Sequence, residues 1–394
     1  LFKKYTGWIV LVFALAFGFQ GITFAQDPRL TIVASYSILA DVVANVAGDA
    51  AEVTTLMPVG TDPHTFTLVP ADLARLAQAD IVFVNGAFFE ESLLEAIENA
   101  APDLNIVEAS ACVAILPFGG HDHDHESEAQ ATPEAAPTES TLPDVLLPIA
   151  EQCATHSAEI GAIHADAQDP EAESDHDHEQ GAHDAESLGT LYALDCTTPH
   201  EDETTAASAG VHDHAESGCD PHVWWQPHNV IYWTMTIRDT LSDLDPANAS
   251  IYAANAAAYI AQVDALTHDE IRPLIETLPL ERRIFVTDHD TLTYFAHAYD
   301  FEIVGVVVPG GSTLGEASAS EIASLIDTIR AEGVSAIFVG STVNPQLAEQ
   351  IANETGVRVI ALFTDSLSEA DGAAPTYLDF MRYNVQTIVD ALSE

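Results

Sequence analysis

The sequence predicts an α/β protein made of two runs of strand–helix alternation, each able to supply a mainly parallel four-stranded sheet flanked by helices. Three observations carry that reading. Short apolar runs alternate with helically spaced apolar residues over 27–116 and again over 279–394. An acidic, histidine-rich stretch over 117–218 separates the two. An Ala-rich segment from Ala247 to Ile271, without Gly or Pro, then offers ~25 residues of helix, about 37 Å at 1.5 Å per residue. Strand–helix alternation builds a parallel sheet with helices on both faces.

In chain order, Lys3 and Lys4 precede an apolar run from Trp8 to Phe19, and Thr23-Phe24-Ala25 offers a small-x-small cleavage pattern before Gln26. Residues 1–25 therefore read as an export signal, with an uncleaved anchor as the other reading. The run is shorter than the ~20 residues a membrane span needs, and no Cys lies near the cleavage point to carry a lipid. Leu30–Ser35 is a first strand, and Ile38, Leu39, Val42, Val43 and Val46 recur at helical spacing after it. Glu52–Met57, Ile81–Asn85 and Ile106–Ala109 continue the strands. Pro70 opens a helix carrying Leu73 and Leu76, at a position where its missing N–H costs nothing. Beyond the insertion, Asp245-Pro246 reads as a helix start with Asp as N-cap. Ile284–Thr287, Ile303–Val308, Ala336–Val339 and Val357–Leu362 are the later strands, with an amphipathic helix marked by Ile322, Leu325, Ile326 and Ile329.

Composition narrows the function. Lys and Arg total 11 against 62 Asp and Glu, a net charge of −51. A phosphate backbone needs a basic footprint, so nucleic acid is excluded as a partner, and an anionic membrane surface is a poor one. Such a surface suits a cationic ligand or a salty medium.

The stretch 117–218 holds 24 Asp and Glu, 11 His and no Lys or Arg, including His121-Asp-His-Asp-His125, Asp175-His-Asp-His178 and His212-Asp-His214. So much charge with so little apolar content predicts a largely disordered insertion, with local docking at Asp144–Ile149 and Leu188–Leu194. The four cysteines, Cys112, Cys153, Cys196 and Cys219, form no C-x-x-C motif. In an oxidising compartment they read as two disulfides out of three possible pairings, Cys112–Cys219 with Cys153–Cys196 being the expected one.

Six histidines lie outside the insertion: His64, His222, His228, His268, His289 and His297. His64 stands in Gly60-Thr-Asp-Pro-His64 after a strand, His222 in Asp220-Pro-His222-Val-Trp-Trp, and His289 in Asp288-His289-Asp290 after Ile284–Thr287. Asp365, in Phe363-Thr-Asp365-Ser, follows Val357–Leu362. Ligands of α/β folds gather at such strand ends. Three imidazoles and a carboxylate suit a tetrahedral Zn²⁺, so His64, His222, His289 and Asp365 are the candidate metal ligands. Asp62 and Asp220 either orient the imidazoles or only shape their turns. His228 fits a ligand or a helix start after Pro227, while His268 and His297 read as structural or solvent-facing. No His-Glu-x-x-His motif is present and a closed four-ligand site leaves no position for a reactive water, so no catalytic residue and no enzyme is expected.

These segments together resemble the extracytoplasmic zinc/manganese-binding proteins of metal ABC importers. Gly60-Thr-Asp-Pro-His64 with Leu68-Val-Pro70 and Asp72 is similar to the first metal signature of that family. Asp220-Pro-His222-Val-Trp224 with Pro227 and Asn229 is similar to the second, and His289 with Tyr294-Phe295 and Tyr299 to the third. Asp245-Pro246 with Tyr252 and Asn255 resembles the inter-lobe helix, and Phe363-Thr-Asp365-Ser with Tyr377-Leu378, Met381-Arg382 and Asn384 the C-terminal portion. The resemblance implies an N-terminal lobe over 26–116 and 219–245, a rigid helix over 246–278 and a C-terminal lobe over 279–394, with the metal between the lobes. It implies Zn²⁺ captured outside the cytoplasmic membrane by His64, His222, His289 and Asp365 and delivered by a monomer to a membrane permease. His at the third position favours zinc, because manganese members often carry Glu there. A manganese importer and a zinc-storage or adhesion protein of the surface are the alternatives. The sequence departs from the family in its longer, Cys-bearing insertion and in the stretch Pro309–Ser318, which lacks a Pro after the acidic residue.

Overall fold

The computed structural model describes residues 29–90, 92–117, 147–166 and 218–393. The expected leader, Leu188–Leu194 and Cys196 lie outside the described residues.

Two four-stranded sheets form. In the N-terminal lobe, β1 (Leu30–Ala34), β2 (Ala51–Thr55), β3 (Ile81–Val84) and β4 (Ile106–Glu108) lie in the order β2-β1-β3-β4. In the C-terminal lobe, β5 (Ile284–Thr287), β6 (Glu302–Val306), β7 (Ala336–Gly340) and β8 (Arg358–Leu362) lie in the order β6-β5-β7-β8. All six pairings are parallel, and both sheets reverse direction of winding after their first strand. The inner strands β3 and β7 are buried on both faces, which is why they read as continuous apolar runs rather than alternations. In β7, Ala336 and Phe338 join the core shared by the lobes, whereas Ile337 and Val339 join a second cluster with Val286, Leu325 and Ile351. Successive residues of a strand point to opposite faces, so one strand feeds both cores.

Helices α1 (Ser37–Ala47), α2 (Pro70–Leu76) and α3 (Ser92–Ala100) connect the first strands. Pro70 opens α2 as expected, and the Asp72 carboxylate accepts from the Val69 N–H at 2.8 Å. In the C-terminal lobe, α8 (Thr293–Tyr299), α9 (Ala319–Glu332) and α10 (Gln346–Thr355) connect the strands, and α11 (Tyr377–Ser393) follows β8. Ser318 caps α9 by accepting from the Glu321 N–H, which fixes its start. Leu325, Ile326 and Ile329 are its buried face.

One expectation gains detail and two are corrected. The insertion contains a 20-residue helix, α4 (Leu147–Asp166), docked on α5 (Pro227–Leu244). Cys153, His156 and Ile160 are buried there, His156 Nε2 pairs with Asp239 Oδ2 at 2.8 Å, and Arg238 bridges to Glu159 at 2.7 Å. The helix takes its stability from that stripe, which a count of charges does not register. Second, Asp245-Pro246 does not begin the long helix. Asp245 closes α5, and its carboxylate accepts from Asn248 Nδ2 at 2.6 Å and the Tyr252 hydroxyl at 2.9 Å, which turns the chain into α6 (Ala249–Ala265). α6 then widens into a π-helical turn at Leu266–Ile271 before α7 (Arg272–Ile275). Third, Cys112 is bonded to Cys153, which rules out both expected pairings. Cys153 faces Cys112 because α4 lies against the segment that follows β4. Cys219 is disulfide-bonded as well.

α6 and its extension touch both lobes. Asn255 Nδ2 donates to the Val46 carbonyl of α1 at 3.0 Å, and Glu270 bridges to Arg382 of α11 at 2.7 Å. Among the described residues no helix is long and apolar enough to cross a membrane.

Candidate metal centre

The four candidate ligands converge. Each of His64, His222, His289 and Asp365 offers one donor atom, these atoms lie within 4.8 Å of one another, and all four residues are buried. The histidine ring centroids are 5.7 Å apart for His64 and His222, 5.7 Å for His64 and His289, and 5.3 Å for His222 and His289. Asp365 Oδ1 is 3.8 Å from His222 Nε2. That is too long for a hydrogen bond and near the ~3.3–3.5 Å edge of a tetrahedron with bonds of about 2.0–2.1 Å. His222 Nε2, His289 Nε2 and Asp365 Oδ1 are buried without a hydrogen-bond partner. Buried polar atoms are ordinarily satisfied, so three such atoms aimed at one point call for an absent species.

Local structure explains each placement. His64 sits in a one-turn 3₁₀ segment opened by Pro63 and capped by Asp62, whose Oδ1 accepts from the His64 N–H at 3.0 Å. His222 is held twice by Asp220 Oδ1, at 2.9 Å from its backbone N–H and 2.7 Å from ring Nδ1. His289, just beyond β5, repeats the device with Asp288 Oδ1, at 2.9 Å from the N–H and 2.9 Å from Nδ1. With Nδ1 engaged by a carboxylate, Nε2 is the ring nitrogen left to face the centre. Asp365 Oδ2 accepts from Thr364 Oγ1 at 2.7 Å, leaving Oδ1 directed inward. Asp62 and Asp220 thus do bond the segments they precede, although only Asp220 reaches a ring nitrogen among these bonds.

Sequence reading missed three supporting features. Asp288 is nearly buried, and its Oδ2 accepts from the Gly340 N–H at 2.8 Å. A Cβ at Gly340 would lie 2.4 Å from Thr364 Oγ1 and 3.3 Å from Asp288 Oδ2, so any larger residue there displaces Thr364. The wall of the centre is the turn Gly86–Phe89, where Ala87 and Phe88 have φ of 53° and 65°. Non-Gly residues in that region cost about 1–3 kcal/mol each, and such strain gathers at functional sites. Phe89 packs edge-on against His64 at 5.7 Å and His222 at 6.0 Å. Glu90, behind it, accepts from Ser35 Oγ and the Asn85 N–H, while Asn85 Nδ2 donates to the Pro221 carbonyl at 3.1 Å. An Asp before a His or a Gly at a strand end is too common in turns to have flagged these roles.

Electrostatics favour a cation. Burial opposes charge on His289, but the charge and hydrogen bond of Asp288, with Asp365 and Asp62 beyond, outweigh it and raise its pKa to about 9. Burial also opposes ionisation of Asp288, yet its contacts with His289 and two N–H donors hold it below the ordinary carboxylate range. Burial pushes Glu90 up to about 7.

The lobes meet around the centre. Ser366 Oγ accepts from the Gly60 N–H at 2.8 Å, Thr313 Oγ1 donates to Asp62 Oδ2 at 2.7 Å, and Trp224 Nε1 donates to the Thr364 carbonyl at 2.9 Å. His228 instead faces away, its ring 5.6 Å from Tyr232, and His297 is exposed.

Fold and site together define a two-lobed binding protein with a buried three-imidazole, one-carboxylate centre between its lobes. Residues 32–391 match the family model described as zinc-uptake complex component A, periplasmic, and the chain belongs to that family, the substrate-binding proteins of metal ABC transporters. The manganese-binding lipoprotein MntA of Halalkalibacterium halodurans is 26% identical over 388 residues, covering 98% of this chain and 96% of that protein. The metal ABC transporter substrate-binding lipoprotein SloC of Streptococcus mutans is 25% identical, covering 93% and 92%. Among solved structures, the periplasmic zinc-binding protein TroA of Treponema pallidum superposes with a TM-score of 0.62 at 23% identity, covering 93% and 99%. The Mn-bound periplasmic metal-binding protein of Candidatus Liberibacter asiaticus does so with 0.61 at 24%, covering 92% and 100%. The two-lobe α/β expectation agrees with these folds.

Proposed function

We propose that this protein captures one Zn²⁺ outside the cytoplasmic membrane and delivers it, as a monomer, to the permease of an ABC importer. His64, His222 and His289 bind through Nε2 and Asp365 through Oδ1. The observation that carries the reading is the convergence of those four donors within 4.8 Å at a buried seam fed by both lobes. Three borderline-soft nitrogens with one oxygen match Zn²⁺ better than the harder Mn²⁺, which prefers carboxylate and water. Manganese is the second reading, favoured by the relatives whose names record it.

Four protein donors close the coordination shell, so the chain transports the ion rather than using it to activate water. The hydrogen bonds across the seam, with α6 braced against both lobes, favour release by a small lobe shift rather than wide opening. The acidic, His-rich stretch over 117–218 gathers further ions weakly, rather than serving as a storage or adhesion device. Metal analysis of protein purified without added metal, followed by competition between Zn²⁺ and Mn²⁺, tests the reading. One tightly held zinc per chain, lost in His64→Ala and His289→Ala, supports it. Preferential retention of manganese would move the assignment to the second reading, and no tight equivalent of either would end both.

A further inference from the structure

A second group of metal-type donors lies on the surface, away from the seam. His164, near the C-terminal end of α4, meets Asp264 at the end of α6 and His268 in the π-helical turn. Their donor atoms lie within 4.8 Å of one another. Asp264 Oδ1 is 3.6 Å from His164 Nε2 and 3.4 Å from His268 Nε2. Both separations exceed an ordinary hydrogen bond; 3.4 Å matches, and 3.6 Å lies just beyond, the donor–donor edge of about 3.3–3.5 Å that a tetrahedral zinc with ~2.0–2.1 Å bonds requires. The His228 ring of α5 lies 5.7 Å from that of His164.

The geometry is built by the fold rather than by chance side-chain drift. His164 continues the stripe of Cys153, Ser157 and Ile160 that docks α4, so it points at the helices beneath. Asp264 and His268 are four apart and share one helix face. The π-helical turn begins two residues after Asp264, and such widened turns gather at functional positions.

We propose that His164, Asp264 and His268 form a second divalent-cation site of the zinc class, which clamps the end of the insertion helix onto the helix that braces both lobes. Bound metal there ties α4 down at its far end, as the Cys112–Cys153 bond ties it nearer its start. The clamp makes the docking of α4 respond to the supply of metal. It stands independently of which ion occupies the centre between the lobes.

The test uses the full chain and Zn²⁺, with histidine labelling by diethyl pyrocarbonate read peptide by peptide, and hydrogen exchange over 147–166. The same titration is run in a His64→Ala/His289→Ala background, so that failure of the buried centre is seen separately. Zinc added beyond the first equivalent should slow labelling of His164 and His268 together by about tenfold or more and slow exchange at the end of α4. Asp264→Ala, a surface change outside the buried centre, should remove both effects while leaving the tight equivalent in place. Unchanged labelling of either histidine at saturating zinc would overturn the proposal. So would full protection persisting in Asp264→Ala, since the ion would then be held elsewhere.

Discussion

Removing the Asp220 carboxylate tests how far the centre depends on groups that never touch the ion. Asp220 is fully buried, and its Oδ1 fixes His222 through the backbone N–H at 2.9 Å and ring Nδ1 at 2.7 Å. The ring bond holds the tautomer and ring orientation in which Nε2 faces the centre. A hydrogen bond to a charged group is worth ~1.5–3 kcal/mol, or roughly ten- to hundredfold in a binding constant. Loss of a carboxylate partner of a ligating histidine costs about the same, 10–100-fold in metal affinity. Asp220→Ala should therefore weaken zinc binding by about 10–100-fold, while Asp220→Asn, which keeps an uncharged acceptor, should lose about tenfold or less. Affinity is read by competition with a chromophoric chelator, and thermal unfolding of the metal-free forms checks that both variants fold. Binding by Asp220→Ala within twofold of the parent protein would refute the reasoning, as would an Asn variant weaker than the Ala one.

Other outcomes follow from the same geometry. Gly340→Ala should weaken metal binding more than it lowers stability, because its Cβ displaces Thr364 and crowds Asp288; equal binding in the same competition assay would contradict this. Because His289 holds its proton up to about pH 9 in the metal-free protein, the ion must expel it, so apparent affinity should climb about tenfold per pH unit and level off near 9. The same group stabilises the metal-free fold fully below its ordinary pKa of 6.5 and loses that contribution as pH rises through 9; a flat affinity profile between those values would contradict both statements. Glu90, raised to about 7 by burial, contributes stability that is present below 4.5 and lost as pH rises through 7, so Glu90→Gln should flatten the denaturation midpoint over that window. Replacing both Cys112 and Cys153 by Ser opens a loop of 41 residues, an expected loss of up to ~4 kcal/mol in a chain-entropy estimate, seen as a lower midpoint and faster exchange along α4.

The strands were legible because parallel sheets bury both faces, so Ile81–Val84 and Ala336–Gly340 appear as unbroken apolar runs. His64, His222, His289 and Asp365 were legible because each follows a strand or stands in a turn fixed by Pro, where side chains of an α/β fold converge. Asp288 and Gly340 were not, since their roles depend on a partner 52 residues away. Helix α4 was hidden by a composition that signals disorder. Its order comes from burying Cys153, His156 and Ile160 against α5, which is tertiary information. The disulfide was hidden for the same reason, as spacing alone does not rank three pairings. Asp245-Pro246 misled because Asp-Pro begins turns and helices alike, and here it turns one helix into the next.

The central claim is that four residues from two lobes grip one transported ion. Crystals grown with a single equivalent of Zn²⁺ and measured on both sides of the zinc absorption edge test it most directly. The account predicts one dominant anomalous peak at bonding distance from Nε2 of His64, His222 and His289 and from Oδ1 of Asp365. A dominant peak elsewhere, or one at the seam touching only one lobe, would contradict it.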